Sequence, residues 1–136
     1  YNMLTRQPEE LIIPQAYANG TGFIAFSPLA QGLLTNRYLK GIPDGSRMAT
    51  SHFLKPEMLT PPLMNKLHRL HDIAHRRGQS LAGMALAWLL RDERVTSVII
   101  GASSVEQLCE NLRAREHQCF SSEELQLIDE ILGSEG

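Results

Sequence analysis

The sequence predicts an α/β fold built on a parallel sheet, and three observations predict it. A short, continuous apolar run at residues 22–26 and a second segment at 96–101, centred on Val98, Ile99 and Ile100, read as strands. Longer segments with apolar residues at helical spacing alternate with them, the order expected of βα units. Two Ser-x-x-Glu patterns, Ser103 with Glu106 and Ser121 with Glu124, mark helix starts.

Residues 8–18 read as the first helix, with Leu11, Ile12 and Ala16 on one side; Pro14 is awkward in its interior and Asn19-Gly20 ends it. The run 22–26 follows and stops at Ser27-Pro28, as a strand buried on both faces would. Residues 28–62 are irregular and rich in Pro and Gly, and a loop this long is usually functional or disordered. Residues 63–77 form a second helix, with Leu63, Leu67, Leu70 and Ala74 on one face and Gly78 as its stop. Ser80 can cap a third, whose Leu81, Met84, Ala85, Trp88 and Leu89 are apolar almost all round, so it is buried or packs on two neighbours. Strand 96–101 comes next. A helix from the Ser103–Glu106 box to about Arg115 and a last one carrying Leu125, Ile128, Ile131 and Leu132 complete the order. No repeat or linker divides the chain. Two strands would leave parallel edges bare, and the sequence opens at Tyr1 without an initiator Met. The expectation is therefore a piece of something larger.

Bulk properties exclude several classes. With 136 residues, 43% apolar and 21% charged, the composition is globular. Thirteen Lys and Arg against fifteen Asp and Glu give a net charge of −2, so a chain-wide basic field for nucleic acid or an anionic membrane is missing. No apolar run approaches the roughly 20 residues of a membrane helix. Cys109 and Cys119 make no disulfide framework, and no secretory signal is visible, so a reducing, cytoplasmic setting is expected.

Candidate chemistry gathers after the two strands. Ser103, Gln107 and Asn111 recur at intervals of four near a helix start directly after Gly101. A helix N-terminus attracts phosphate, so this is either a nucleotide seat or an ordinary capped surface helix. The first strand delivers Ser27, Pro28, Leu29, Ala30, Gln31 and Gly32 at its carboxyl end, where parallel α/β folds bind ligands. Arg37, Lys40 and Arg47 follow, as phosphate ligands or as solvated charges. Other residues invite blander readings. His68, His71 and His75 lack the H-E-x-x-H glutamate and sit among Lys66, Arg69, Arg76 and Arg77, which favours a solvated basic helix over a metal site. Tyr17 and Tyr38 read as packing residues, Cys109 as an inert thiol, Trp88 as core, and Ser27 lacks a hydrolase elbow.

The stretches IAFSPLAQGLLTNRYLKGIPDGSR and VTSVIIGASSVEQLCENLRA resemble the seventh and eighth βα segments of aldo-keto reductases. Residues 1–133 are covered, and the likeness is strongest to the branch with potassium-channel β subunits and bacterial glyceraldehyde-phosphate reductases. The resemblance implies the C-terminal part of a (β/α)8 TIM barrel, a fold of typically ~250 residues. It implies NADP(H) as cofactor, a small carbonyl substrate and, from the bacterial members, a homo-oligomer. Tyr1 then matches the residue that stacks on the nicotinamide. Ser27, Pro28, Leu29, Ala30 and Gln31 match the loop around the pyrophosphate, with Arg37 (commonly Lys) and Arg47 in the same clamp. Gly101, Ser103, Gln107, Glu110 and Asn111 match positions around the adenosine and its 2′-phosphate. The family's catalytic Asp, Tyr, Lys and His have no counterpart here. An NADP(H)-dependent reductase, a channel-subunit-like regulatory binder and a truncated, inactive product are the three readings that follow.

Overall fold

In the computed structural model of the chain, residues 1–42, 44 and 55–133 are described. Helices α1 (Ile12–Ala18), α2 (Pro61–Arg76), α3 (Leu81–Leu90), α4 (Val105–Leu112) and α5 (Ser122–Gly133) accompany strands β1 (Phe23–Ala25) and β2 (Val95–Val98). Among the described residues these two strands form one parallel sheet.

Helix α3 is the centre of the packing. Eight of its ten residues are buried, as an all-apolar helix requires. Ser80 starts it by accepting the Gly83 N–H at 3.1 Å. It packs on α2, on β2 and on α4. Each fully buried large apolar side chain, Leu81, Met84 or Leu89 for example, contributes roughly 1.5–3 kcal/mol. Trp88, fully buried, lies 5.8 Å from the Tyr1 ring, and the Arg91 guanidinium sits 4.0 Å over its ring.

The strands pair Phe23 with Val95, Ile24 with Ser97 and Ala25 with Val98, with an irregularity after Phe23. There the Thr96 hydroxyl accepts the Phe23 N–H at 3.0 Å. The neighbouring Gly22 leaves room for this contact, since a Cβ there would stand 3.0 Å from that same hydroxyl oxygen. Strand β1 differs from expectation in being covered on one side only. Ala25 is buried in the core, yet its neighbours Ile24 and Phe26 are 57% and 71% exposed. Strand β2 begins one residue earlier than expected and ends at Val98, although the Ile99 N–H still reaches Ala25 O at 2.8 Å.

The helix starts show where sequence rules hold and where they shift. Helix α1 begins at Ile12, later than expected, so Pro14 falls in its first turn, where a missing N–H costs no intrahelical bond. Helix α2 begins at Pro61, with Thr60 as cap, and Gly78 ends it at φ +67°. The Ser121–Glu124 box forms as expected, with reciprocal bonds of 3.1 and 2.8 Å. The Ser103–Glu106 box does not. Ser104 is the cap, and Gln107 takes the partner role.

Arg77, whose side chain is only 9% exposed, ties three segments together. Its guanidinium donates to Glu124 at 2.6 Å, to the His117 and Cys119 carbonyls and to Gln79, and stacks 3.8 Å from Phe120. Burial opposes ionisation of Glu124, but the Ser121 N–H and Arg77 outweigh it and hold the carboxyl below its usual value. A carboxyl held low contributes stability that is complete above its unfolded value of about 4.3 and is lost as pH falls through the lower folded value. Arg77→Ala is accordingly expected to cost about 2 kcal/mol, read as a lower urea midpoint at unchanged slope. Glu124→Gln should flatten the loss of stability on the acid side of pH ~4.

Candidate functional site

Because β1 and β2 are parallel, their carboxyl ends lie side by side, and the loops leaving them face each other across a cleft of about 620 Å³. That lies within the ~300–1,000 Å³ usual for ligand sites. One wall is Ser27, Pro28, Leu29, Gln31, Gly32, Thr35 and Arg37; the other is Ile99, Ile100, Gly101, Ala102, Ser103 and Gln107.

The first wall is held in an unusual backbone conformation. Ser27, Ala30 and Gln31 have φ of +50°, +48° and +58°, followed by Gly32 at +99°. Left-handed non-glycine residues cost on the order of 1 kcal/mol each and persist only where their surroundings impose them. Here a chain of tight turns does so: Ala30 N–H to Ser27 O at 3.0 Å, Gly32 N–H to Leu29 O at 2.9 Å and Leu34 N–H to Leu29 O at 3.1 Å. Leu34 and Tyr38, both fully buried, pin the far end of the loop to the core. Thr35 closes it, donating to Gly32 O at 2.6 Å and accepting the Arg37 N–H at 3.2 Å. Asn36 accepts the Leu81 N–H at 3.4 Å, fastening the loop to the start of α3.

The second wall is the start of α4. Gln107 Oε1 accepts from the Ser103 N–H at 2.7 Å and from its hydroxyl at 3.0 Å, while Ser104 Oγ accepts the Gln107 N–H at 3.1 Å. Ser103 and Gln107 thereby bring the start of α4 into the lining of the cleft. Among the described residues the lining holds one cation, Arg37, and no carboxylate, and Arg37 has no ion-pair partner. Such a cleft suits an anionic ligand.

Of the residues singled out from sequence, the structure brings Ser27, Pro28, Leu29, Gln31, Arg37, Gly101, Ser103 and Gln107 together. Ala30 shapes the first wall without lining it. Asn111 does not share the cleft face with Ser103 and Gln107. It is buried, because the α4 face it occupies turns inward, and its Nδ2 has no partner among the described residues. Glu110 is exposed outside the lining. Tyr1 is likewise away from the cleft. Its ring packs on Trp88 and Phe23 and its hydroxyl donates to Glu9 at 2.6 Å, burial and then that bond pushing its pKa well up. Arg47 lies outside the described residues. Sequence reading passed over Thr35, although a Thr just before Asn-Arg is a cap signal, and over Ile99 and Ile100, whose apolar character gave none.

No described group of three or more His, Cys, Asp or Glu could hold a metal, and no described helix is long and apolar enough to cross a membrane. His71 and His75 stack with ring centroids 6.4 Å apart.

The model of the aldo/keto reductase family matches residues 1–133. The chain belongs to the aldo/keto reductase family. An L-glyceraldehyde 3-phosphate reductase of Escherichia coli O157:H7 is 51% identical over 135 residues, and that of strain K12 is 50% identical. Each alignment takes in 96% of this chain and 39% of the relative. A putative voltage-gated potassium channel subunit beta of Schizosaccharomyces pombe is 38% identical, over 97% of this chain and 40% of that protein. The chain thus spans about two-fifths the length of the curated relatives it matches.

The strained wall can be tested directly. Gln31→Gly places at φ +58° the residue for which that conformation is free, and is expected to raise stability by about 1 kcal/mol in thermal or urea unfolding. A loss of stability would mean that the Gln31 side chain holds the turn.

Proposed function

We propose that this chain supplies the dinucleotide seat of an NADP(H)-dependent aldo/keto reductase that reduces small aldehydes or ketones, glyceraldehyde 3-phosphate and its like among them. On this reading β1 and β2 are the seventh and eighth strands of a (β/α)8 barrel, and residues 1–136 are part of one reductase domain. Other βα units of the barrel cover the exposed Ile24, Phe26 and Ile99. The observation that carries the reading is the cleft between two parallel strand ends, with one cation, no described carboxylate and a helix start in its lining. This is where α/β barrels place ligands.

The residues present fit such a cofactor. The Ser27–Gln31 turn and Arg37, with Arg47 further along the loop, hold the pyrophosphate. Gly101, Ser103 and Gln107 hold the adenosine end, Gly101 allowing close approach because nothing lies within 4 Å of where its Cβ would be. Glu110 and Asn111 belong to this end only if α4 shifts. Bound NADPH supplies the hydride; this part of the protein orients it, and the proton comes from a residue outside it. The S. pombe relative supports a second reading, a regulatory protein that holds NADP(H) and turns it over poorly.

Titration of NADPH into the purified chain, followed by nicotinamide fluorescence, tests the seat. Saturable binding is expected, weakened about tenfold by Arg37→Ala or Gln107→Ala, with the Arg37 effect shrinking in high salt. A folded chain that gives no saturable signal contradicts the reading.

A further inference from the structure

We propose that Asn2 is a positioning residue for this cleft: its buried amide fixes the Ser27 carbonyl and with it the left-handed turn at the cleft's lip. The inference rests on the reading of the cleft as a dinucleotide seat and extends it to a residue that does not line the cleft.

Asn2 is one of two buried polar residues among those described, only 5% exposed. Its side chain is divided between two tasks. Oδ1 accepts the Leu4 and Thr5 N–H groups at 2.9 and 3.0 Å, which closes a tight turn over residues 2–5. Nδ2 donates across 25 positions of sequence to the Ser27 carbonyl at 3.1 Å. That carbonyl also takes the Ala30 N–H, so Ser27 O receives one bond from within its own loop and one from outside it. Ser27 stands at φ +50°, the first of the left-handed residues in the wall. A non-glycine residue keeps that conformation only where neighbours impose it, and Asn2 is the neighbour outside the loop that reaches its carbonyl. The residue must be an amide: the acceptor alone would keep the 2–5 turn, and the donor alone would keep Ser27.

Asn2→Asp separates the two tasks, since a carboxylate still accepts from Leu4 and Thr5 but cannot donate to Ser27. The expected result is NADPH binding weakened about tenfold. In a Ser27→Gly background, where φ +50° is free, the same change should weaken binding less than about twofold. Equal effects in both backgrounds would overturn the proposal. Amide exchange gives a readout that needs no cofactor. Asn2→Asp should speed exchange at Ala30 and leave the buried amides of α3 unchanged. Faster exchange in both places, or in neither, would overturn it whatever NADPH does. If the unaltered chain binds no NADPH while Ala30 responds, the cofactor reading fails and the positioning role stands.

Discussion

The parallel pairing of β1 with β2 is the constraint on which the rest depends. Antiparallel neighbours would send their loops to opposite ends of the sheet; parallel ones deliver both loops to the same end. The pairing survives with only two short strands because α3, buried over eight of its ten residues, packs on β2 and draws α2 and α4 against it. The uncovered face and outer edges carry Ile24, Phe26 and Ile99 in contact with solvent. Sheets do not ordinarily leave such residues bare, and the relatives are more than twice as long as this chain.

Given that pairing, the cleft is made by two walls of different character. The α4 wall is cheap: a capped helix start and a Gln that folds back on Ser103. The loop wall is costly, with three non-glycine residues in left-handed conformation within five positions. Its stability comes from tight turns within the loop, from Leu34 and Tyr38 buried in the core, from Asn36 fastened to the start of α3 and, outside the loop, from Asn2. Strain concentrated where a ligand would sit, and held from elsewhere in the fold, is the pattern of a preorganised site.

Much of this was legible in the sequence, for physical reasons. The order of strands and helices follows from runs and spacing that report burial directly, and the Ser80 and Ser121 caps act through bonds four residues or fewer apart. What was misplaced depends on three-dimensional context. Ser103 and Ser104 both precede a suitable acceptor, and only the path of the chain out of β2 selects Ser104 and Gln107. Asn111 continues the spacing of Ser103 and Gln107, but spacing alone does not say which way a helix face turns, and this one turns inward. The family resemblance implied a ring against the nicotinamide for Tyr1, whereas its surroundings here, Trp88, Phe23 and Glu9, hold it in the core. Asn2 left no signal, since its partner lies 25 positions away.

The central claim is that the loops after β1 and β2 form one seat for one dinucleotide. A crystal structure of the chain grown with NADP⁺ tests it most directly. The account predicts continuous density running across the cleft, with phosphates beside the Ser27–Gln31 turn and Arg37 and the adenosine end against Ser103 and Gln107. Density on one wall alone, or at another surface while the cleft stays filled with solvent, would contradict it.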